Sequence, residues 1–113
     1  MHVSAVLDAY AQRGTNCAQA VLRGFQHVFA IPEERIGAAA GHGGGRAPEG
    51  RCGALHSALE LLDTAAERQA LQEEFHRQAG AVTCREVRSL RRLSCQDCVR
   101  LAAVLVQDRL PGR

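Results

Sequence analysis

Residues 16–29, NCAQAVLRGFQHVF, carry the clearest helical pattern in this chain. Asn16 is a favourable N-cap, Gln19 can complete a capping box, and Pro32 follows where the pattern stops. Apolar residues recur at the spacing of one helical face, and they are Ala18, Val21, Leu22, Phe25, Val28 and Phe29. The stretch therefore predicts one amphipathic helix that begins at Cys17.

The same periodicity extends in both directions from this stretch. It predicts further helices at residues 3–13, 33–40, 52–63, 65–79, 84–92 and 95–109, the last of them stopped by Pro111. We therefore predict an all-α, compact single-domain bundle of about six short-to-medium helices over residues 1–113, with the last helix the most buried. One glycine-rich loop, residues 37–50, holds six of the 11 glycines.

Composition excludes several classes of protein. With 46% hydrophobic and 23% charged residues, the chain is typical of a globular domain and not of a disordered or collagen-like one. No apolar run approaches the ~18–20 residues of a membrane span, and the N-terminus lacks the pattern of a secretory signal, so a cytoplasmic protein is expected. All 14 basic residues are arginine, which excludes a phosphate-loop lysine, a pyridoxal Schiff base and a lysine nucleophile. A net charge of +2 is too small to indicate nucleic-acid binding.

The five cysteines are the chemical feature of the sequence. An odd number of cysteines without a secretion signal argues against a disulfide framework. Four of them begin a predicted helix, where the helix dipole and unpaired amides favour the thiolate that ligates metals or attacks disulfides. Small buried cysteines that only pack the core are the alternative. The four are Cys17, Cys84 and Cys95, which follow the capping residues Asn16, Thr83 and Ser94, and Cys52, which follows the glycine-rich loop.

Cys98 differs from these four because it lies one turn inside the last helix. We expect it to be a packing residue, with a Cys95–Cys98 redox pair as the alternative. His56 is four residues after Cys52, so it is a candidate substitute ligand or proton carrier, although a surface or half-buried histidine is the more common role. His42, in the glycine-rich loop, is a candidate in the same way, and a surface or half-buried position is again the more common role. Four arginines, at 85, 88, 91 and 92, form a basic strip that could face an acidic partner, but a solvated helix face is the default interpretation.

Five segments of the chain together resemble the C_GCAxxG_C_C family, small bacterial and archaeal proteins regarded as redox-active. They are residues 16–22, the glycine-rich stretch 43–46, the CGA motif within 51–55, the block 75–84 and the final block 95–103. The chain departs from the family signature at Ser57, where a glycine is expected.

The resemblance implies an all-helical domain with redox-active Cys17, Cys52, Cys84 and Cys95. Split-Soret cytochromes carry a similar cysteine region, which is associated there with an iron–sulfur cluster. The glycine-rich stretch and the CGA motif imply cofactor-binding roles for Gly44, Gly45, Gly53 and Ala54.

Our leading hypothesis is an electron-transfer protein in which these four cysteines bind an iron–sulfur cluster. Zinc is the alternative metal, and the protein could also be isolated with none. The alternative functions are metal-free thiol–disulfide chemistry and a helical interaction module with structural cysteines. The expected partner is a redox protein, not a membrane or a nucleic acid; the sequence leaves open whether the chain is an enzyme or a homodimer.

Overall fold

The computed structural model describes residues 2–110. Within this range the chain forms eight α-helices and two 3-10 helices (Ala39–His42 and Pro48–Gly50) and no extended strand. The α-helices are α1 (His2–Tyr10), α2 (Cys17–Gly24), α3 (Gln26–Phe29), α4 (Glu33–Ala38), α5 (Gly53–Glu60), α6 (Ala65–Ala79), α7 (Cys84–Leu90) and α8 (Cys95–Gln107). The all-α class is confirmed, with eight helices instead of about six. Pro111, the predicted end of the last helix, lies outside the described residues.

The predicted helix that begins at Cys17 is divided into two, which raises the count. Phe25 (φ −105°, ψ 10°) ends α2 and precedes α3. Gly24, just before it, packs so closely on α1 that a Cβ there would lie 2.6 and 2.7 Å from the backbone N and Cα of Val6. Because helical register is lost at Phe25, the predicted apolar face does not continue, and Val28 is 41% exposed.

The most buried element is α5, not the last helix. All seven of its residues from Gly53 to Leu59 are buried, because α5 packs on α2, α6 and α8 at once. Helix α8 keeps a solvent side, on which Val104 is 36% exposed. Ser57, where the family signature has a glycine, is fully buried in α5 and donates a 2.9 Å hydrogen bond to the carbonyl oxygen of Ala18 in α2. Serine is therefore tolerated in place of the family's glycine, because its buried hydroxyl has a hydrogen-bond partner.

The glycine-rich segment is held against the start of α2. The side-chain amide of Asn16 donates to the carbonyl oxygens of Ala39 and Ala40, at 3.3 and 3.0 Å. Gln19 donates from Nε2 to the carbonyl oxygen of Ile36 at 3.3 Å. Asn16 and Gln19, which cap α2, thus also hold residues 36–40, where the glycine-rich segment begins, beside the start of α2.

A single antiparallel β-bridge joins the segments that lead into α5 and α7. It pairs Arg51 with Thr83, and the Cys52 N–H donates to the Val82 carbonyl oxygen at 2.8 Å. The bridge brings the starts of two helices side by side, although they are far apart in the chain. No helix in the described part of the chain has the length and apolar character needed to cross a bilayer.

Candidate functional site

Local capping sets the positions of four cysteines. Cys17, Cys84 and Cys95 are the first residues of α2, α7 and α8, and Cys52 is the N-cap residue of α5. Asn16 and Ser94 form full capping boxes, with Gln19 and Asp97 respectively. At α7 the Thr83 hydroxyl accepts from the Glu86 N–H at 3.2 Å, but the Glu86 carboxylate accepts from that same hydroxyl and not from the Thr83 N–H. The capping box at α7 is therefore only half formed.

These helix starts converge on one cavity of about 350 Å³. All five cysteines line it, including Cys98, for which packing was the expected role and a redox pair with Cys95 the alternative. Cys17, Cys52 and Cys98 are buried, Cys84 is half-buried, and Cys95 is exposed. The remaining lining residues are Gly44, Gly53, Val87, Arg88, Arg91, Leu93 and Ser94.

Four of the sulfurs form two hydrogen-bonded pairs. The Cys17 thiol donates to Cys95, which joins α2 to α8. The Cys98 thiol donates to Cys52, which joins α8 to α5. Within each pair the contact lowers the pKa of one cysteine and raises the pKa of its partner. Cys84 lines the cavity without joining either pair.

Cys95 is the exposed thiolate of the site. The hydrogen bond from Cys17 lowers the pKa of Cys95 to about 6, and the Tyr10 hydroxyl and the charge of Arg88 act in the same direction. The same contacts raise the pKa of Cys17, together with its burial, and raise the pKa of Tyr10 to about 12. Tyr10 is a site residue that the sequence did not reveal, because nothing local connects α1 with the start of α8.

Cys52 is the buried cysteine whose pKa is lowered. The hydrogen bond from Cys98 and the N–H groups of Leu55 and Ala54 lower the pKa of Cys52 to about 7, against the cost of burial. These amides lie near the sulfur, although their geometry is not that of a side-chain N-cap hydrogen bond. The hydrogen bond to Cys52 and burial raise the pKa of Cys98. Burial also raises the pKa of Cys84, and the charge of Arg88 opposes that rise.

The low pKa of Cys95 predicts an unusual pH profile for its alkylation. Iodoacetamide reacts with the thiolate, so the rate at Cys95 should be half-maximal near pH 6 and fall below that pH as the sulfur is protonated. Replacing Tyr10 by Phe removes a donor to the thiolate, so the half-maximal pH should rise. Peptide mass spectrometry resolves each cysteine, and Cys84, whose pKa is raised by burial, serves as the internal control that should react at higher pH than Cys95. Profiles that coincide in the parent and Tyr10→Phe proteins would contradict the assignment.

The residues expected to bind a cofactor all lie at or beside the cavity. Gly44 and Gly53 line it, and Ala54 directs its N–H towards Cys52 and Cys17. Gly45 lies beside Cys84, whose Cβ would be 3.4 Å from a Cβ at Gly45. A Cβ at Gly53 would lie 2.8 Å from Cys17 Sγ and 2.6 Å from the His42 carbonyl oxygen, so only glycine leaves room for that sulfur.

The two candidate histidines belong to a separate cluster. The rings of His42 and His56 pack edge to face with their centroids 4.9 Å apart. His56 is 9% exposed, its Nδ1 lies 3.3 Å from Arg51 Nη1, and its Nε2 lies 3.5 Å from Glu60 Oε2. Burial lowers its pKa. Neither histidine lines the cysteine cavity, so the structure gives His56 no role as a substitute ligand there.

The thiols have the donor chemistry of an iron–sulfur or zinc site, but their arrangement does not match one. Among residues 2–110 no three His, Cys, Asp or Glu side chains are grouped to hold a metal ion. Of the four predicted ligands, Cys17 and Cys95 are paired with each other, and Cys52 is paired with Cys98, which is not a predicted ligand. Cys84 belongs to neither pair. The side chains therefore fit two thiol pairs better than one four-thiolate centre.

A comparison with known proteins assigns the chain to a family, and this assignment agrees with the cysteine-lined cavity. The family model described as "Putative redox-active protein (C_GCAxxG_C_C)" matches residues 15–109, a range that includes all five cysteines. No curated protein and no solved structure matches the chain. Since the family model covers most of the chain, this protein belongs to the C_GCAxxG_C_C family of redox-active proteins.

Proposed function

We propose that this protein is a thiol–disulfide redox protein in which Cys95 and Cys17 form the reversible disulfide. The observation that carries the proposal is that Cys95, which is exposed, and Cys17, which is buried, line one cavity as neighbouring cysteines. Exchange requires an accessible thiolate and a second thiol beside it. The Cys17–Cys95 pair meets both requirements.

The chemistry proceeds in two displacements. The Cys95 thiolate attacks one sulfur of a substrate disulfide, forms a mixed disulfide and expels the other sulfur as a thiolate. Cys17 then attacks Cys95 Sγ, the protein disulfide forms, and the second substrate sulfur leaves as a thiolate that takes the Cys17 proton. Two electrons pass from the protein to the substrate, and the reverse sequence returns them.

The environment of Cys17 suits the second step. Its hydrogen bond to the Cys95 thiolate is the largest cause of its raised pKa. Once Cys95 is bound in the mixed disulfide it carries no negative charge, so that cause disappears and the pKa of Cys17 falls. Attack by Cys17 is therefore favoured only after Cys95 has reacted.

The second pair has the same chemistry but less access. Cys52 and Cys98 are 6% and 2% exposed, so an external disulfide meets Cys95 first. We expect this pair to exchange more slowly, or to reduce the Cys17–Cys95 disulfide within the protein by becoming the Cys52–Cys98 disulfide, since Cys95 lies one helical turn from Cys98.

Thiol counting tests the proposal. Reduced, chelator-treated protein should titrate with five thiols when denatured, and equilibration with a mild disulfide oxidant should first remove two. Peptide mapping after acid quenching should place the new bond between Cys17 and Cys95, and reductant should restore five thiols. An unchanged count would indicate structural cysteines in a helical interaction module. A Cys95–Cys98 bond would overturn the assigned pair.

A second candidate function is an iron–sulfur electron carrier that uses Cys17, Cys52, Cys84 and Cys95. The observation in its favour is that all four line the same cavity. It requires Cys52 to leave Cys98. Cys84 separates the two candidates, since it belongs to the cluster set and to neither thiol pair. Cluster absorption that follows anaerobic reconstitution, and that is lost in Cys84→Ser but kept in Cys98→Ser, would favour the cluster. A redox partner protein and a cytoplasmic location accompany both candidates as predictions.

A further inference from the structure

The charged residues that line the cysteine cavity are both arginines. Arg88 is in the last turn of α7 and Arg91 follows the helix as its C-cap residue. Both are exposed, and neither makes an ion pair with any residue of 2–110. No carboxylate is among the lining residues. Apart from the cysteines, the ionisable side chains that line the cavity are therefore both cationic, and no carboxylate faces them there.

The turn between α7 and α8 sets the position of Arg91. Arg91 has a left-handed backbone (φ 54°, ψ 25°), a conformation that is uncommon for a residue with a side chain. It ends α7 three residues before Ser94, the cap of α8. The arginine at this turn thus lies beside the helix start that carries Cys95. Arg88 is close enough to the sulfurs for its charge to act on both Cys84 and Cys95.

The remaining walls suit a small molecule. A volume of about 350 Å³ lies within the usual range of small-ligand cavities. Val87 and Leu93 add apolar surface to the lining of the cavity. A ligand that fits must therefore combine a short apolar chain with an acidic group at its outer end.

We propose that the cavity takes an anionic low-molecular-weight disulfide, with its acidic group bound by Arg88 and Arg91 and its sulfur–sulfur bond directed at Cys95. This inference rests on the proposed thiol–disulfide function and names its substrate class. The substrate disulfide accepts two electrons and leaves as two anionic thiols, while Cys17 and Cys95 become the protein disulfide. The arginines bind the substrate and take no part in the electron transfer.

Three disulfides of similar size and different charge test the proposal. They are 3,3′-dithiodipropionate (two carboxylates), 2-hydroxyethyl disulfide (neutral) and cystamine (two ammonium groups). The second-order rate of thiol loss is measured for each with the parent, Arg88→Gln, Arg91→Gln and Arg85→Gln proteins and with the Arg88→Gln/Arg91→Gln double variant. Arg85 is the matched control, because it lies on α7 and carries the same charge but does not line the cavity.

The neutral disulfide reports any change in thiol reactivity, so the rate ratio of anion to neutral isolates binding by the arginines. We expect Arg88→Gln and Arg91→Gln each to lower this ratio several-fold and the double variant to lower it roughly tenfold. Arg85→Gln should leave the ratio within about twofold, since an exposed charge outside the cavity is screened by solvent and salt. The rate ratio of cystamine to the neutral disulfide should be higher for the double variant than for the parent.

The outcomes distinguish this inference from the function on which it rests. If the anionic and neutral disulfides oxidise all five proteins with the same rate ratio, the substrate class is wrong, and the thiol–disulfide function stands. If Arg85→Gln lowers the ratio as much as Arg91→Gln, general charge steering explains the preference and the arginine-binding site is overturned. If none of the three disulfides forms the Cys17–Cys95 bond, the proposed function fails and this inference fails with it.

Discussion

Replacing Cys95 by serine should slow oxidation by a small disulfide roughly 100-fold, because the variant lacks the only thiolate in the cavity that solvent reaches. The remaining sulfurs are buried at Cys17, Cys52 and Cys98, or protonated at neutral pH at Cys84, whose pKa is raised. The rate of thiol loss at pH 7 measures the effect. Cys17 should no longer appear in any disulfide peptide.

Two further serine variants separate attack from resolution. Cys17→Ser should still react at Cys95 but stop at the mixed disulfide, which intact mass spectrometry detects as an adduct of one substrate half. Cys84→Ser is the matched control, since it makes the same change in the same cavity outside both pairs, and it should react at nearly the parent rate. Equal slowing in the Cys84 and Cys95 variants would argue against a special role for the Cys17–Cys95 pair.

Replacing Gly53 by alanine should destabilise the protein by about 2 kcal/mol, within the usual cost of overpacking a core. The new methyl group would lie 2.6 Å from the His42 carbonyl oxygen and 2.8 Å from Cys17 Sγ, and the first of these is backbone that cannot turn aside. This cost exceeds the gain in helix propensity from glycine to alanine. For a domain of this size it corresponds to a fall in Tm of roughly 10 °C, measurable by circular dichroism.

Gly37→Ala provides the matched control for Gly53→Ala. Gly37 lies in α4, is exposed, and has no atom within 4 Å of the position that a Cβ would take. The substitution should therefore stabilise the protein by about 0.5 to 1 kcal/mol. Because the methyl at residue 53 also displaces Cys17 Sγ, only Gly53→Ala should slow resolution of the mixed disulfide. An unchanged or raised Tm for Gly53→Ala would show that the segment at His42 yields easily.

The parts of the site that sequence analysis predicted are local ones. Asn16 and Ser94 indicate helix starts because each capping residue and its partner are three residues apart in the sequence. Local sequence therefore places Cys17 and Cys95 at the first position of a helix. Helical periodicity likewise identified the all-α class. Gly53 stood out through its place in the family motif, and the structure adds the physical reason, the close approach of Cys17 Sγ.

The parts that could not be predicted depend on contacts between distant segments. Convergence of the helix starts follows from tertiary packing and from the bridge between Arg51 and Thr83, which has no sequence signature. Cys98 had one usable signal, its spacing of three residues from Cys95, but its contact with Cys52 required the placement of α5. The break at Phe25 and the exposure of Val28 depend on how α1 packs at Gly24, which hydrophobic periodicity does not register.

Helix α8 supplies one cysteine of each thiol pair. Cys95 pairs with Cys17 of α2, and Cys98 pairs with Cys52 at the start of α5. Oxidation of either pair would therefore tie the C-terminal helix covalently to a segment far away in the chain, and a closed loop of that length stabilises a fold by about 4 kcal/mol in the chain-entropy description. The reduced protein has no such tie and opens more readily to proteases. The redox state of the cysteines would then affect how long the polypeptide survives proteolysis, in addition to its capacity to transfer electrons.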